Sequence, residues 1–534
     1  MKKYDRMKKQ VFSLILALAL LCTLFPQVIL PADAETASGR CGEHLTWSFD
    51  SATGLLTIEG YGAMDDYEHE EYYDTEDHIG RGVTTPWAEY RESITAVSLP
   101  QGLPVSAVGA HLGSATESLT YHIKQHNINQ EEQMKLEPIV VSLLDTDLYK
   151  FNMDQVIFHK HTDLCGEYLF KCRNKDVVFT EEMVEEIKAQ VDHLCTLRFR
   201  KEELDYLRSI RFIKNDYVEF LRLWHPIRDY VTIGRTEAGE LQVAVDGPLF
   251  SAMQFEIYLL EIINEVYFRM RYDYDKLLRS AEERLNNKIR ALNDGTYTFH
   301  FAEFGCRRRL SREWEDVVVR RLATETDKCI GTSNVYLAMK YNLTPIGTYA
   351  HEYVQMFQGI DSIPLSYTNH YAMRDWYDEY NGDNGTALTD TLTTDLFLLD
   401  FTRSMVNNYT GVRHDSGDPY AWGEKIIKHY ESYGVDPRTK LLLFSDSLDF
   451  DRAQKLYEHF KDRAKVSFGI GTFCSNDTCE TALNIVIKLQ FVNGRPVAKI
   501  SDAEGKAMCR DDQYLDYLKR SVAFRLERQK DDRA

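Results

Sequence analysis

The sequence predicts a mixed α/β fold organised around a parallel sheet or barrel with crossover connections. Short apolar strands such as "KLLLFS" alternate with helical stretches through the C-terminal part of the chain, an order that places strands side by side with helices packed across them. The segment "FTEEMVEEIKAQVDHL" has helical spacing of its apolar residues and carboxylates in its first turn, where the helix dipole favours negative charge. A chain of 534 residues that is 44% hydrophobic can bury large cores, and its length suggests about two to four domains.

The formal net charge of -20 leaves no broad basic surface to neutralise a nucleic-acid backbone, so nucleic acid is not an expected partner. Phosphorylated small molecules remain open, because local guanidinium groups, backbone N–H groups and Mg2+ set the potential in a cleft. The ten cysteines have no framework spacing, which reads as reduced thiols. Cys474 and Cys479 come nearest to a metal pair but lack a second CxxC or an HxxxH partner, so no zinc site is expected there.

The N-terminus follows a different pattern. Five basic residues between Met1 and Lys9, an apolar run from Val11 to Leu24 and the small-x-small site Ala32-Asp33-Ala34 have the physical make-up of a secretory signal peptide over residues 1–34. Residues 35–124 turn to short alternating strands with Gly, Thr and Ser turns, as in "LTWSFDSATGLLTIEGYGAM" and "SITAVSLP". This segment resembles the opening of secreted bacterial leucine-rich-repeat surface proteins, although no run of repeats follows. Residues 125–136 are rich in Gln, Asn and Glu, a linker composition.

Beyond the linker, "LRLWHPIRDYVTIGRTEAGELQVAVDGPLFSAMQFEIYLLEIINEVYF" reads as a strand pair, a Gly-Pro turn and a long helix carrying Glu256, Glu261 and Glu265, packed through its Ile, Leu and Tyr face. In "FHFAEFGCRRRLS" an apolar strand runs into Arg307, Arg308 and Arg309, a natural oxyanion clamp or else a solvated charge run. In "GTSNVYLAMKYNLTPIGTYAHEYVQ" two Gly-Thr turns precede His351 and Glu352, at a strand end or a helix start. Gln355 stands where a zinc-protease helix would need its second histidine, which excludes that class. "GVRHDSGDPYAWGEK" crowds Arg413, His414, Asp415, Ser416 and Asp418 around Gly417. Such a cluster is poor core material; its carboxylates suit Mg2+ and its arginine an anion. "LLLFSDSLD" adds Ser445, Asp446 and Asp449, and "KVSFGIGTFC" runs into Gly469, Gly471 and Thr472, whose N–H groups suit a phosphate.

Taken in order, "LLDTDLYKFNMDQVIF", "FAEFGCRRR", "PIGTYAHEY", "ALTDTLTTDLFLLDF", "GVRHDSGDP", "LLFSDSLD", "SFGIGT" and "NIVIKLQFVNGRPVAKISDAEGKAMC" resemble the nicotinate phosphoribosyltransferases of the bacterial and yeast type. The resemblance implies a type II phosphoribosyltransferase fold: an N-terminal α/β sandwich domain over 137–265, then an irregular α/β barrel over 266–515 whose last strands return to the first domain. It implies ATP-coupled joining of nicotinate to phosphoribosyl pyrophosphate, giving nicotinate mononucleotide and pyrophosphate in NAD salvage, with Mg2+ and a homodimeric enzyme. By the same resemblance His351 takes a phosphoryl group from ATP, and Tyr149 stacks on the pyridine ring, reaching across from a neighbouring subunit. Arg307 and Arg413 bind the nicotinate carboxylate and the phosphoribosyl substrate in an order left open. Asp415 and Asp418 hold Mg2+ or serve the pyrophosphate site, with Asp415 also catalytic. Gly469, Gly471 and Thr472 cradle the 5'-phosphate, and Asp390 and Ser416 complete the substrate site.

The alternatives are a nicotinamide-specific transferase, an exported protein whose transferase portion is inactive, and a misassembled fusion. ATP and phosphoribosyl pyrophosphate are cytosolic while the leader points outward. The enzyme itself is expected in the cytosol.

Overall fold

In the computed structural model the described residues are 36–40, 45–50, 55–60, 69–75, 78–83, 96–99, 120–123, 137–503 and 509–531. Contacts divide the chain into two units, Met1–Met134 and Lys135–Ala534. The expected signal peptide and linker lie outside the described residues. The first unit contains β1 (Thr36–Arg40), β2 (Leu45–Asp50), β3 (Leu55–Gly60), β6 (Ala96–Leu99) and β7 (Thr120–Ile123) in one sheet, in the order β1-β2-β3-β6-β7. A separate hairpin pairs β4 (His69–Thr75) with β5 (His78–Val83). Trp47, Phe49 and Leu56 are buried, on alternating positions as half-buried strands require.

The second unit holds two sheets. The first is antiparallel, in the order β18-β17-β8-β10-β9, formed by β8 (Cys165–Cys172), β9 (Val231–Arg235), β10 (Leu241–Pro248), β17 (Ile485–Val492) and β18 (Arg495–Pro496). The late strand β17 pairs with the early strand β8, so the end of the chain is built into the sheet laid down by its beginning.

The second sheet is parallel, in the order β12-β11-β16-β15-β14-β13, from β11 (Phe301–Glu303), β12 (Cys329–Thr332), β13 (Thr386–Leu388), β14 (Gly411–His414), β15 (Leu441–Phe444) and β16 (Lys465–Ile470). Helices Arg312–Glu325, Pro419–Ser432 and Phe450–Phe460 are crossovers between successive strands, as parallel pairing demands. No hydrogen-bonded ladder joins β12 to β13; the interval holds the loop before His351 and the helix His351–Met356. The barrel is irregular at that seam. Because all six strands run the same way, the segments after them collect at one edge.

Two helices bury charged and polar residues along with their apolar ones. The helix Phe255–Arg271 is buried from Phe255 to Phe268, with Glu256, Glu261 and Glu265 inside the core. The helix Leu148–Lys160 buries Lys150, Asn152, Asp154 and Gln155 along with its apolar residues. Buried polar groups need partners, and theirs organise the site.

Candidate active site

The strand ends open onto a cavity of about 390 Å³ lined by Tyr149, Arg307, His351, Arg413, Asp415, Gly469, Gly471 and Thr472, together with Arg173, Arg308, Asp446, Lys488 and Lys499. Residues from β11, β14, β15 and β16 meet those from the start of two helices and from β17.

His351 begins the helix His351–Met356 and is buried. Its Nε2 lies 2.9 Å from Asp390 Oδ1 and 3.6 Å from Asp415 Oδ2, and 2.8 Å from Lys499 Nζ. Burial pushes the imidazole below its ordinary pKa, the Lys499 ammonium adds to this, and Asp390 opposes it. A neutral ring with an available nitrogen is the result at neutral pH. Burial alone would raise the Asp390 carboxyl, but His351 and Lys499 outweigh it and hold the group well below the usual carboxylate range. Lys499 Nζ sits 2.7 Å from Asp390 Oδ2, and Ser416 Oγ donates to the same oxygen at 2.5 Å. Asp390 and Ser416 therefore stand behind His351 rather than on the cavity wall.

The turn Cys306–Arg308 is a single 3-10 turn, so successive side chains diverge by about 120°. Arg307 and Arg308 face the cavity. Burial, with Arg307 and Arg173 nearby, pushes Arg308 down to about 9, still cationic at neutral pH; its Nε and Nη2 donate to the Ile485 carbonyl. Arg309 points the other way. It is fully buried, with Nη1 2.7 Å from Asp145 and 3.0 Å from Glu315, and Nη2 3.3 Å from Glu261. The three-arginine clamp is thus corrected to two, the third filling a socket of carboxylates that would otherwise resemble a metal cluster with Cys306.

The dense stretch after β14 divides similarly. Arg413 and Asp415 line the cavity. Among the described residues Arg413 Nε is buried without a hydrogen-bond partner, a donor left for an anion. Asp415 accepts from Ser445 Oγ at 3.0 Å; burial raises its carboxyl, but His351 and Arg413 bring it below the usual value. Gly417 takes a φ of +85°, the left-handed turn that frees the chain to reverse. Asp418 is exposed and accepts from Ala421 N at 2.7 Å as the N-cap of Pro419–Ser432. Expected as a metal ligand, it does not line the cavity; capping directs its carboxylate along its own helix. Asp449 likewise caps Phe450–Phe460.

At the end of β16 an added Cβ on Gly471 would come within 2.7 Å of the Phe304 carbonyl, so only glycine permits that close passage beside the cavity. Tyr149 lines the same cavity as Arg307 and His351. Its helix is fixed locally by Leu148 N donating to the Ser333 carbonyl at 2.8 Å and Asn152 Nδ2 donating to the Gly347 carbonyl at 2.8 Å.

Sequence reasoning missed Arg173, Lys488 and Lys499 as cavity residues. One signal was present: Lys488 interrupts the apolar run "NIVIKLQFV", and a lysine inside such a strand asks for a buried partner, here Glu256 at 3.5 Å.

A family model described as the nicotinate phosphoribosyltransferase family matches residues 299–526, and its N-terminal domain model matches residues 144–264. The chain belongs to the nicotinate phosphoribosyltransferase family. A nicotinate phosphoribosyltransferase of Acinetobacter baylyi is 46% identical over 397 residues, covering 72% of this chain and 97% of that protein. One of Herminiimonas arsenicoxydans is 47% identical over 391 residues, covering 72% and 98%. Among solved structures, the nicotinate phosphoribosyltransferase of Vibrio cholerae aligns with a TM-score of 0.68 at 37% identity, covering 74% of this chain and 100% of that one. That of Porphyromonas gingivalis gives 0.67 at 33%, covering 72% and 100%. The fold is therefore that of the nicotinate phosphoribosyltransferases, in agreement with the type II phosphoribosyltransferase expectation. Residues before 144 lie outside both matched ranges, and the likeness of 35–124 to surface proteins gains no support from them.

Proposed function

We propose that this cavity joins nicotinate to phosphoribosyl pyrophosphate, releasing nicotinate mononucleotide and pyrophosphate, with ATP consumed through His351. The observation that carries the reading is the convergence of the His351 imidazole, the Arg413 guanidinium and the Gly471 turn on one cavity.

The pyridine nitrogen attacks the anomeric carbon as the bond to pyrophosphate breaks, through a transition state with oxocarbenium character. The protein's task is positioning and charge stabilisation. Tyr149 offers a ring face to the pyridine. Arg307, with Arg308 beside it, meets the nicotinate carboxylate, and Arg413 with its unpaired Nε meets a phosphate oxygen of the second substrate. Gly469, Gly471 and Thr472 receive the 5'-phosphate.

Asp415 and Asp446 both line the cavity, and carboxylate oxygens are hard donors that suit Mg2+. Bound there, Mg2+ would neutralise charge on the departing pyrophosphate. In the ATP step a neutral His351 nitrogen attacks the γ-phosphorus, the β–γ bridging bond breaks and ADP leaves; water later releases the phosphate. Asp390 and Lys499 hold the ring for that transfer. Phosphorylation tightens substrate binding by shifting the population toward a closed site.

Substrate choice is tested by assaying nicotinate against nicotinamide. The cationic wall of Arg173, Arg307 and Arg308 favours the acid, and equal turnover of the amide would overturn that assignment. The unit over 137–265, the barrel unit over 266–515 and a homodimeric state belong to the same proposal. Among the described residues no helix is long and apolar enough to cross a membrane. Residues 1–34 are read as an export signal and the enzyme as cytosolic; sequencing the N-terminus of the native protein decides whether the leader is present on the active enzyme.

A further inference from the structure

Lys150 immediately follows Tyr149, and Glu352 immediately follows His351. Their side chains meet in the core: Lys150 Nζ lies 2.5 Å from Glu352 Oε1 and 2.7 Å from Glu256 Oε2, with the lysine side chain wholly inaccessible to solvent. Two further ties join the same segments. Asn152 Nδ2 donates to the Gly347 carbonyl at 2.8 Å, and Ala350 N donates to Met153 Sδ at 3.2 Å. An added Cβ on Gly347 would lie 3.0 Å from Tyr149 N, so the two backbones run against each other where the ring-facing helix begins. Neither Lys150 nor Glu352 lines the cavity. A charge pair taken so far out of water gains little stability over apolar packing, and its best-attested use is to fix one arrangement of two elements.

We propose that the Lys150–Glu352 pair is the positioning link through which the state of His351 is communicated to the nicotinate pocket at Tyr149. The inference rests on the phosphohistidine reading above. Any displacement of the first turn of His351–Met356 moves Glu352, and with it the ammonium that follows Tyr149. Glu256 carries the effect further, because its other oxygen lies 3.5 Å from Lys488 Nζ on the cavity wall. Phosphorylation adds negative charge and bulk at His351; the rigid link turns that local change into a change in the ring pocket, and coupling of this kind between two sites is typically of the order of tenfold in affinity.

The test uses Glu352→Gln in the full chain, which keeps side-chain volume and leaves Lys150 paired with Glu256. Two quantities are read: acid-labile phosphate incorporated from labelled ATP, and the ratio of the nicotinate KM without ATP to that with ATP. The expected result is phosphate incorporation within about twofold of the parent protein, with the KM ratio falling from the order of ten to near one. Glu352→Asp, which keeps the charge, is expected to restore part of the ratio. An unchanged ratio in Glu352→Gln overturns the proposal, and so does loss of phosphate incorporation together with the ratio, since the pair would then serve His351 itself. If Glu352→Gln does not fold, the ratio in Glu352→Asp decides: partial loss is expected, and the parent value overturns the proposal. Failure of the phosphohistidine reading shows itself separately, as a parent protein that incorporates no acid-labile phosphate.

Discussion

His351 Nε2 lies 2.9 Å from Asp390 Oδ1, and Asp390 is itself closed off from solvent. A buried carboxylate beside an imidazole orients the ring and stabilises positive charge that develops on it during phosphoryl transfer. Asp390→Asn keeps the shape and removes the charge. The expected outcome is a fall of roughly 100-fold in ATP-dependent turnover, with turnover in the absence of ATP much less affected; equal loss in both would contradict the role.

The same triad sets a pH signature. Lys499 lowers the His351 pKa and Asp390 raises it, on top of the larger lowering by burial. The acid limb of the ATP-dependent rate is therefore expected below the ordinary value of 6.5. Removing the ammonium in Lys499→Met moves that limb up, whereas Asp390→Asn moves it further down. Rate–pH profiles of the two variants check the signs, and shifts in a common direction would refute the arrangement.

Arg413→Ala removes the guanidinium whose Nε has no hydrogen-bond partner among the described residues. A lost charge-assisted hydrogen bond to a phosphate is expected to raise the KM for phosphoribosyl pyrophosphate roughly 10- to 100-fold, leaving the nicotinate KM near its original value. Initial-rate kinetics with each substrate varied in turn measure this.

Arg309 has a structural task. Replacing it in Arg309→Met strands Asp145, Glu261 and Glu315 in the core without their cation. Breaking such a group is expected to cost about 3–5 kcal/mol of stability, read from urea unfolding at neutral pH. A loss below about 1 kcal/mol would place the residue outside the fold's buried charge network.

Asp154 is buried, and burial raises its carboxyl from 3.8 to about 7 against the hydrogen bond from Tyr217. Its folded pKa exceeds the unfolded one, so its contribution to stability is complete below 3.8 and is lost as pH rises through about 7. Asp154→Asn cannot ionise and can still accept from Tyr217 Oη. Between about pH 5 and pH 8 the parent protein is expected to lose more unfolding free energy than the variant; parallel losses would show that Asp154 is not ionising in that range.

Much of the site was legible because its residues sit where strands stop. Arg307, Arg413, Asp415, Gly469 and Gly471 each follow or end an apolar strand, and parallel pairing brings those ends to one edge. What was not legible depends on direction or distance. In "CRRR" the pattern cannot say which guanidinium turns inward, since that follows from the 3-10 turn after β11. In "RHDSGD" the chain reverses at Gly417, which sends Ser416 back toward Asp390 and leaves Asp418 to cap a helix. Lys499 stands 148 positions from His351, and only the return of β17 to β8 brings the two together. The carboxylates of Phe255–Arg271 were visible as residues, but the partners of Glu256 and Glu261, Lys150 and Arg309, come from distant segments.

The most direct measurement is nicotinate mononucleotide formation with and without ATP, by the parent protein and by His351→Ala. The expected result is stimulation by ATP in the parent and none in the variant, with a residual ATP-independent rate in both. Full ATP stimulation in His351→Ala would contradict the assignment of this imidazole as the phosphoryl acceptor.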